Sequence, residues 1–439
     1  LLVTRRVFDN IAVTDVPATA ATPRRRSVYA GLALVLAFGI FLRLPSANFS
    51  QGGALHALDP LHPQPLHSQS SIGFDEALYR DYVNTVATYG LTAYPEIVER
   101  YIERQRTLNR ALLPPTRFLY IFCAYAWHTV FGSEALDALR NVASVFGILT
   151  LLVATAFAWR IRGPAFAISV AALMSVGPTL IHMSQHALID GVSGFWALLS
   201  LWLLWENLNA PRNWRWLLAY ALSLSCMVLT KENAFFAYVG LLALIAANRW
   251  LRFGVVTREL LLATVAGPLL GVVVLIFLCG GVGNFITTYR DLVSQASHLQ
   301  YAIMTGDGPW HRYLVDLLLV SPIVLLLALA KVFRLDRQQK PELFLALFVA
   351  ASYALMCNVR YGMNLRYANM WEMPLRTLAV AQLETLFAFH RRRSLWIGIA
   401  VVVICASDLR QYITMFVQYP LYELVTAQLM EALRILKFR

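Results

Sequence analysis

The sequence is built on one recurring unit: an apolar run of roughly 15–20 residues, closed by a short polar or basic stretch. The hydrocarbon core of a bilayer is about 30 Å thick, and a helix needs about 20 mostly apolar residues to cross it. Within that core each backbone N–H and C=O must be satisfied inside the segment, which favours helices. Such runs are read near 27–44, 137–159, 164–182, 190–206, 214–229, 233–248, 259–279, 314–333, 342–358, 375–389 and 395–407. Only 14% of the 439 residues are charged and the mean hydropathy is +0.57. A soluble chain carries about 25% charged residues. The expected class is an all-α polytopic membrane protein with about eleven spans.

The net charge of +12 falls in short clusters between the runs. These are Arg24 to Arg26, Arg160 with Arg162, Arg212 with Arg215, Arg249 with Arg252 and Arg258, Lys331 through Lys340, and Arg391 to Arg393. That is the positive-inside pattern, so all are expected to face the cytoplasm. No basic stripe interleaves with aromatics, and a nucleic-acid partner is set aside. The assignment closes if the run 114–132 does not cross. Its Pro114-Pro115 start, Arg117, His128 and scattered aromatics suit an interfacial or re-entrant helix. The N-terminus is then cytoplasmic and the C-terminus outside. Residues 1–26 read as a cytoplasmic lead without a cleavable signal peptide, 27–410 as the transmembrane domain, and 411–439 as a partly amphipathic tail. Cys123, Cys226, Cys279, Cys357 and Cys405 lie in or beside apolar runs and read as small buried side chains, not a disulfide framework or metal site.

On this topology the outer side collects the unusual polar stretches. In the first loop, Phe74-Asp75-Glu76 opens a helical pattern expected to lie on the membrane surface. Asp75 is expected at its N-cap and Glu76 in its first turn. Asp75 is equally readable as a general base at the membrane boundary. Asp190 follows Ser184, Gln185 and His186 between two spans, where a carboxylate needs work or a partner. Lys231, in the turn Thr230-Lys231-Glu232-Asn233, suits a phosphate, or alternatively a surface pair with Glu232. Arg360, Tyr361, Arg366 and Tyr367 run against the charge trend; they suit a lipid phosphate or snorkelling to headgroups. His56, His62 and His67 match no helical metal pair.

Taken in order, FDE, SQHALID, LTKEN, GPWHRYLVDLLLVSPI and NLRY resemble the GT-C superfamily of membrane glycosyltransferases. Within it they are most similar to the protein O-mannosyltransferase and aminoarabinose-transferase-like branch. The resemblance implies a GT-C fold with interfacial helices in the first outer loop. It also implies transfer of a sugar from a polyprenyl-phosphate donor to a lipid, glycan or secreted protein at the outer face. By the same resemblance Asp75 carries the base, Glu76 is its companion acid, and Asp190 is a further catalytic acid. Lys231, Arg366, Tyr367, Arg140 and Arg117 would bind the donor phosphate. Gln185 stands where relatives have arginine. No cofactor is required by this reading; a divalent ion between Asp75 and Asp190 is the lesser option. A lipid-linked-substrate transporter and a non-catalytic scaffold are the competing functions.

Overall fold

The computed structural model describes residues 22–63, 73–108, 111–298, 309–359 and 364–418. Arg360, Tyr361, His67, most of the expected N-terminal lead and most of the C-terminal tail lie outside them. Regular structure among the described residues is helical, apart from an isolated contact in which the Ala111 amide donates to the His298 carbonyl. The fold is the expected all-α one.

The chain enters through α1 (Thr22–Arg43) and then builds a small substructure from α2 (Phe74–Tyr89), α3 (Tyr94–Thr107) and α4 (Phe118–Phe131). The bundle follows: α5 (Ala135–Arg162), α6 (Pro164–Ser175), α7 (Pro178–Gln185), α8 (Ile189–Asn209), α9 (Trp214–Thr230), α10 (Ala234–Leu251) and α11 (Arg258–Leu278). After α12 (Val282–Ser294) come α13 (Arg312–Val320), α14 (Pro322–Val332), α15 (Lys340–Met356), α16 (Glu372–Leu386) and α17 (Arg393–Tyr412). Among the described residues, four helices are long and apolar enough to cross a membrane, α5, α10, α11 and α17 with its π-helical extension; the bent pair α6 and α7 makes a fifth. The expected count of eleven exceeds this because several runs form shorter helices. One of them, α9, has 17 residues and rises about 26 Å, less than the hydrocarbon core.

Two expected spans are broken. The run 164–182 bends by 60° between α6 and α7, where Gly177-Pro178 interrupts the hydrogen-bond ladder. The run 314–333 breaks at Ser321, whose ψ of 66° leaves the helical region before Pro322. Both breaks meet one buried charged cluster. Arg376, 1% exposed, donates from Nε to the Leu173 carbonyl (2.9 Å) and from Nη2 to Asp408 (3.1 Å) and Ser321 (3.4 Å). It also pairs with Glu372, one turn before it. Arg43 takes the Met174 and Ser175 carbonyls at 2.7 and 3.0 Å. The carbonyls freed by the break in α6 thus find guanidinium donors, as a buried helix end requires.

Packing divides into two cores. The larger lies within the bundle; the smaller joins α2, α3 and α4 through residues such as Tyr79, Val83, Val98, Tyr101 and Tyr120. Close helix approach relies on small residues: a Cβ at Gly267 of α11 would lie 2.6 Å from the Ala221 carbonyl oxygen of α9. On its other side α11 exposes Leu262, Leu269, Val273 and Phe277, a surface suited to lipid. The chain is an integral membrane protein.

Charge divides the bundle by its ends. At the C-terminal end of α5, Arg160 grips Glu206 with two 2.9 Å bonds, and Arg162 pairs with Glu342 and Glu384. The N-terminal end of α5 carries Arg140 and faces the candidate site.

Candidate active site

The helix α2 begins two residues earlier than expected. Gly73 is its N-cap, so Asp75 is the second helical residue and Glu76 the third. The cap reading of Asp75 is therefore corrected: a cap carboxylate bends back to the amides, whereas Asp75 is free to point outward. Glu76 does the inward work. Its Oε2 accepts the Gly73 amide (3.2 Å), and its Oε1 accepts the Ala187 amide (2.8 Å) and Arg140 Nε (3.4 Å). His186 Nδ1 lies 3.8 Å from the same oxygen. Burial pushes the Glu76 carboxyl up, but His186, Arg140 and the Ala187 amide outweigh it and hold it well below the usual carboxylate range.

Asp75 faces across the seam between the two cores. Its Oδ2 lies 3.5 Å from Arg366 Nη1. Arg366 opens a 3-10 helix, Leu365–Trp371, whose N-cap Asn364 accepts the Arg366 amide at 2.7 Å. That short helix runs straight into α16, which fixes the arginine at the mouth of the bundle. The Asp75 side chain is 20% exposed and Arg366 only 4%, so the carboxylate is the reachable partner.

Next to this pair, Lys231 Nζ donates to Asp190 Oδ1 at 2.6 Å, with both side chains nearly buried. The ammonium also stands over the Tyr367 ring, 4.3 Å from its centroid, a cation–π contact that desolvation strengthens. Asp190 Oδ2 is buried without a hydrogen-bond partner. The surface pair Lys231–Glu232 does not form. Glu232 instead accepts from Nε and Nη2 along one edge of the Arg117 guanidinium, whose Nη1 donates to Tyr79 of α2. Arg117 thereby ties the turn after α9 to the small substructure.

The segment Ala111–Arg117 leading into this tie is buried and non-helical, with a turn at Pro115-Thr116. Three tyrosine hydroxyls satisfy its carbonyls: Tyr101 at Leu112 (3.3 Å), Tyr82 at Leu113 (2.8 Å) and Tyr94 at Pro115 (2.6 Å). Gln185 is likewise engaged, donating to Leu42 (2.8 Å) and accepting from Tyr412 (2.6 Å). His62 stacks on Phe49 with centroids 3.9 Å apart; burial pushes it down to about 4, keeping it neutral. Among the described residues no three His, Cys, Asp or Glu side chains are grouped to hold a metal ion. Asp75 and Asp190 each already face a cation, which does not suit a shared divalent ion.

All eight residues singled out in the sequence lie on this end of the bundle. Tyr79, Tyr412 and Asn369, which donates from its side chain to the Asp190 carbonyl, were missed; each reads in sequence as an ordinary aromatic or polar residue of a helix.

The arrangement can be compared with known proteins. Residues 124–281 match the family model described as dolichyl-phosphate-mannose-protein mannosyltransferase. That region holds Arg140, Asp190 and Lys231, but neither Asp75 nor Arg366. No curated protein sequence matches the chain. ArnT from Cupriavidus metallidurans superposes with a TM-score of 0.52 at 15% identity, covering 93% of this chain and 76% of that one. The archaeal oligosaccharyltransferase AglB from Archaeoglobus fulgidus, solved with an inhibitory peptide and a dolichol-phosphate, gives 0.54 at 13% identity. It is covered to 56%, against 93% of this chain. A second structure of the Cupriavidus ArnT, bound to undecaprenyl phosphate, gives 0.50 at 15% identity over the same shares of the two chains. The chain has the GT-C fold.

In the GT-C fold described here, Asp75 comes from the small substructure, and Asp190, Lys231 and Arg366 come from the bundle. Asp75 meets Arg366 where α2 is joined to the bundle, by Glu76 at the Ala187 amide and by Arg117 at Tyr79 and Glu232.

Proposed function

We propose that this chain is a glycosyltransferase moving a sugar from a polyprenyl-phosphate donor to an acceptor hydroxyl at the outer membrane face. The acceptor is a lipid, glycan or secreted protein. One observation carries the reading: the reachable Asp75 carboxylate stands 3.5 Å from Arg366, beside the buried Lys231–Asp190 pair. The fold shared with proteins solved with undecaprenyl phosphate or dolichol-phosphate supports a lipid-linked donor. The basic loops at the opposite end support a site that faces outward, with the N-terminus cytoplasmic. In this reading residues 27–410 form the catalytic domain.

The chemistry follows from charge. A sugar on a phosphodiester carries one negative charge, and the departing lipid phosphate gains a second. Cations placed at that oxygen favour the transition state over the bound donor. Arg366 and Lys231 supply them, with Arg140 at the rim. Tyr367 shapes the Lys231 end, and Asp190 orients the ammonium. Arg117, saturated by Glu232 and Tyr79, holds the turn and meets no phosphate. When the donor phosphate takes the Arg366 guanidinium, Asp75 loses its partner and becomes a free base. It accepts the acceptor's hydroxyl proton as that oxygen bonds the anomeric carbon from the face opposite the phosphate. The carbon–oxygen bond to phosphate breaks, and the anomeric centre inverts. Glu76 holds Asp75 in place rather than touching substrate.

A transporter of a lipid-linked substrate is the second reading. The buried Arg376 cluster at two helix breaks favours it, since transporters place ionisable groups at broken helices. Asp75→Asn separates the two. A transferase loses turnover and keeps undecaprenyl phosphate binding; transport survives the change. Undiminished sugar transfer by the Asn variant ends the reading of Asp75 as base.

A further inference from the structure

We propose that Arg376 is a positioning residue for this site, acting from the middle of the bundle. The inference rests on the transferase reading above and adds a residue that touches neither donor nor acceptor.

Depth comes first. The opposite end of the bundle is marked by Arg162 at the end of α5 and Glu384 in α16. From Glu384 to Arg376 is two turns of α16, roughly 12 Å, and α6 spans roughly 18 Å from that end to its break. Arg376 therefore sits near the centre of a slab about 30 Å thick. A charge there is costly unless its partners are fixed. Its partners are fixed: Nη1 donates to Glu372, Nε to the Leu173 carbonyl, and Nη2 is shared by Asp408 and Ser321. A planar fork can serve four such partners at once; an ammonium cannot.

Three elements leave this cluster and end at the site. The half-helix α7 starts at the break that Arg376 caps, and its far end delivers the Ala187 amide to Glu76 (2.8 Å). A Cβ on Gly177, at that break, would lie 2.9 Å from Arg376 Nη2, so α7 rests directly on the guanidinium. Upstream of Glu372, the 3-10 helix Leu365–Trp371 carries Arg366 to Asp75. From Asp408, one turn of α17 reaches Tyr412, whose hydroxyl donates to Gln185 at the end of α7 (2.6 Å). One buried side chain thus sets the height of both walls that meet at Asp75. A misplacement of about 1 Å from a remote change can cost on the order of 100-fold in rate.

The test uses the full chain in lipid nanodiscs, with Arg376→Lys and Tyr412→Phe. Amide hydrogen exchange is followed by peptide, and binding of undecaprenyl phosphate is titrated. For Arg376→Lys, the expected result is faster exchange confined to 181–190 and 364–371, unchanged exchange in 200–215 and 384–395, and at least tenfold weaker binding. Exchange unchanged at both site segments overturns the proposal. So does acceleration spread evenly through the bundle, or unaltered affinity. If Arg376→Lys does not fold, Tyr412→Phe decides alone: faster exchange at 181–190 supports the proposal, and unchanged exchange there overturns it. A wild-type chain that binds no undecaprenyl phosphate refutes the donor reading; the exchange pattern then decides on Arg376 by itself.

Discussion

The buried pair Lys231–Asp190 offers a sharp quantitative test. The two charges lie 2.6 Å apart with side-chain exposures of 4% and 3%. Lys231→Met removes the ammonium and leaves a carboxylate with one oxygen newly unpaired and the other already without a hydrogen-bond partner. Removing one member of such a pair costs about 3–5 kcal/mol, because the remaining charge is stranded. The lost cation–π contact with Tyr367 adds about 1–2 kcal/mol. Asp190→Asn strands the ammonium in the same way. In Lys231→Met/Asp190→Asn no uncompensated charge remains, so stability returns most of the way to wild type. The coupling energy from the cycle is expected to be about 3 kcal/mol or more. Equilibrium unfolding in mixed detergent micelles supplies the four stabilities, and undecaprenyl phosphate titration supplies the binding. The double variant is expected to be stable yet still weak in binding, since the cation is gone. Single losses that simply add, with coupling below about 0.5 kcal/mol, refute the argument. So does full binding by the stable double variant.

Other consequences can be measured on the same material. Asp75→Asn is expected to lower sugar transfer by about 10²–10⁴-fold, with donor binding retained, as read by single-turnover kinetics. Arg117→Lys breaks the two-pronged grip on Glu232 and the bond to Tyr79; a stability loss of about 2–3 kcal/mol is expected in denaturant unfolding. Glu76→Gln tests a pH dependence. The native Glu76 carboxyl lies below its ordinary value of 4.5, so it stabilises the fold fully above that pH. The stability gap between wild type and Glu76→Gln is expected to be constant from pH 6 to 8, to shrink below about 4.5, and to close only in strong acid. Unfolding at stepped pH reads the sign directly. Gly194→Ala places a Cβ 2.6 Å from the Asn369 side chain, and an overpacking loss of about 1–3 kcal/mol is expected by the same assay.

What could be read from the residues depended on how local the signal was. Apolar runs announce helices, and polar residues at their ends announce one shared face, so Asp75, Asp190, Lys231 and Arg366 could be expected near one another at one end of the bundle, where they lie. Pairings were harder. Lys231 and Glu232 are neighbours in sequence, yet they turn to Asp190 and Arg117, 41 and 115 residues away. The N-cap was misplaced by two residues because Gly73 caps without a side chain, and a carboxylate is the usual signal. The two helix breaks carried a readable sign, Gly177-Pro178 and Ser321-Pro322 inside apolar runs. Hydropathy averages over such pairs and joins the halves. Arg376, inside the run 375–389, and Asp408, just past 395–407, were not singled out from the residues, although an ionisable group in apolar surroundings is a signal. Their meeting with each other and with both breaks is a tertiary fact that no spacing encodes.

The tyrosine-lined segment before Arg117 has a consequence of its own. Pro114 and Pro115 contribute no amide hydrogen, so this stretch is rich in acceptors and poor in donors. It cannot recruit a neighbouring strand to replace a missing hydroxyl. Each phenol is therefore an individual peg with no spare, and shaving one to phenylalanine would leave a lone oxygen in a dry place. Variation in this part of the chain should thus be less forgiving at a phenolic oxygen than at the much larger rings that bear it.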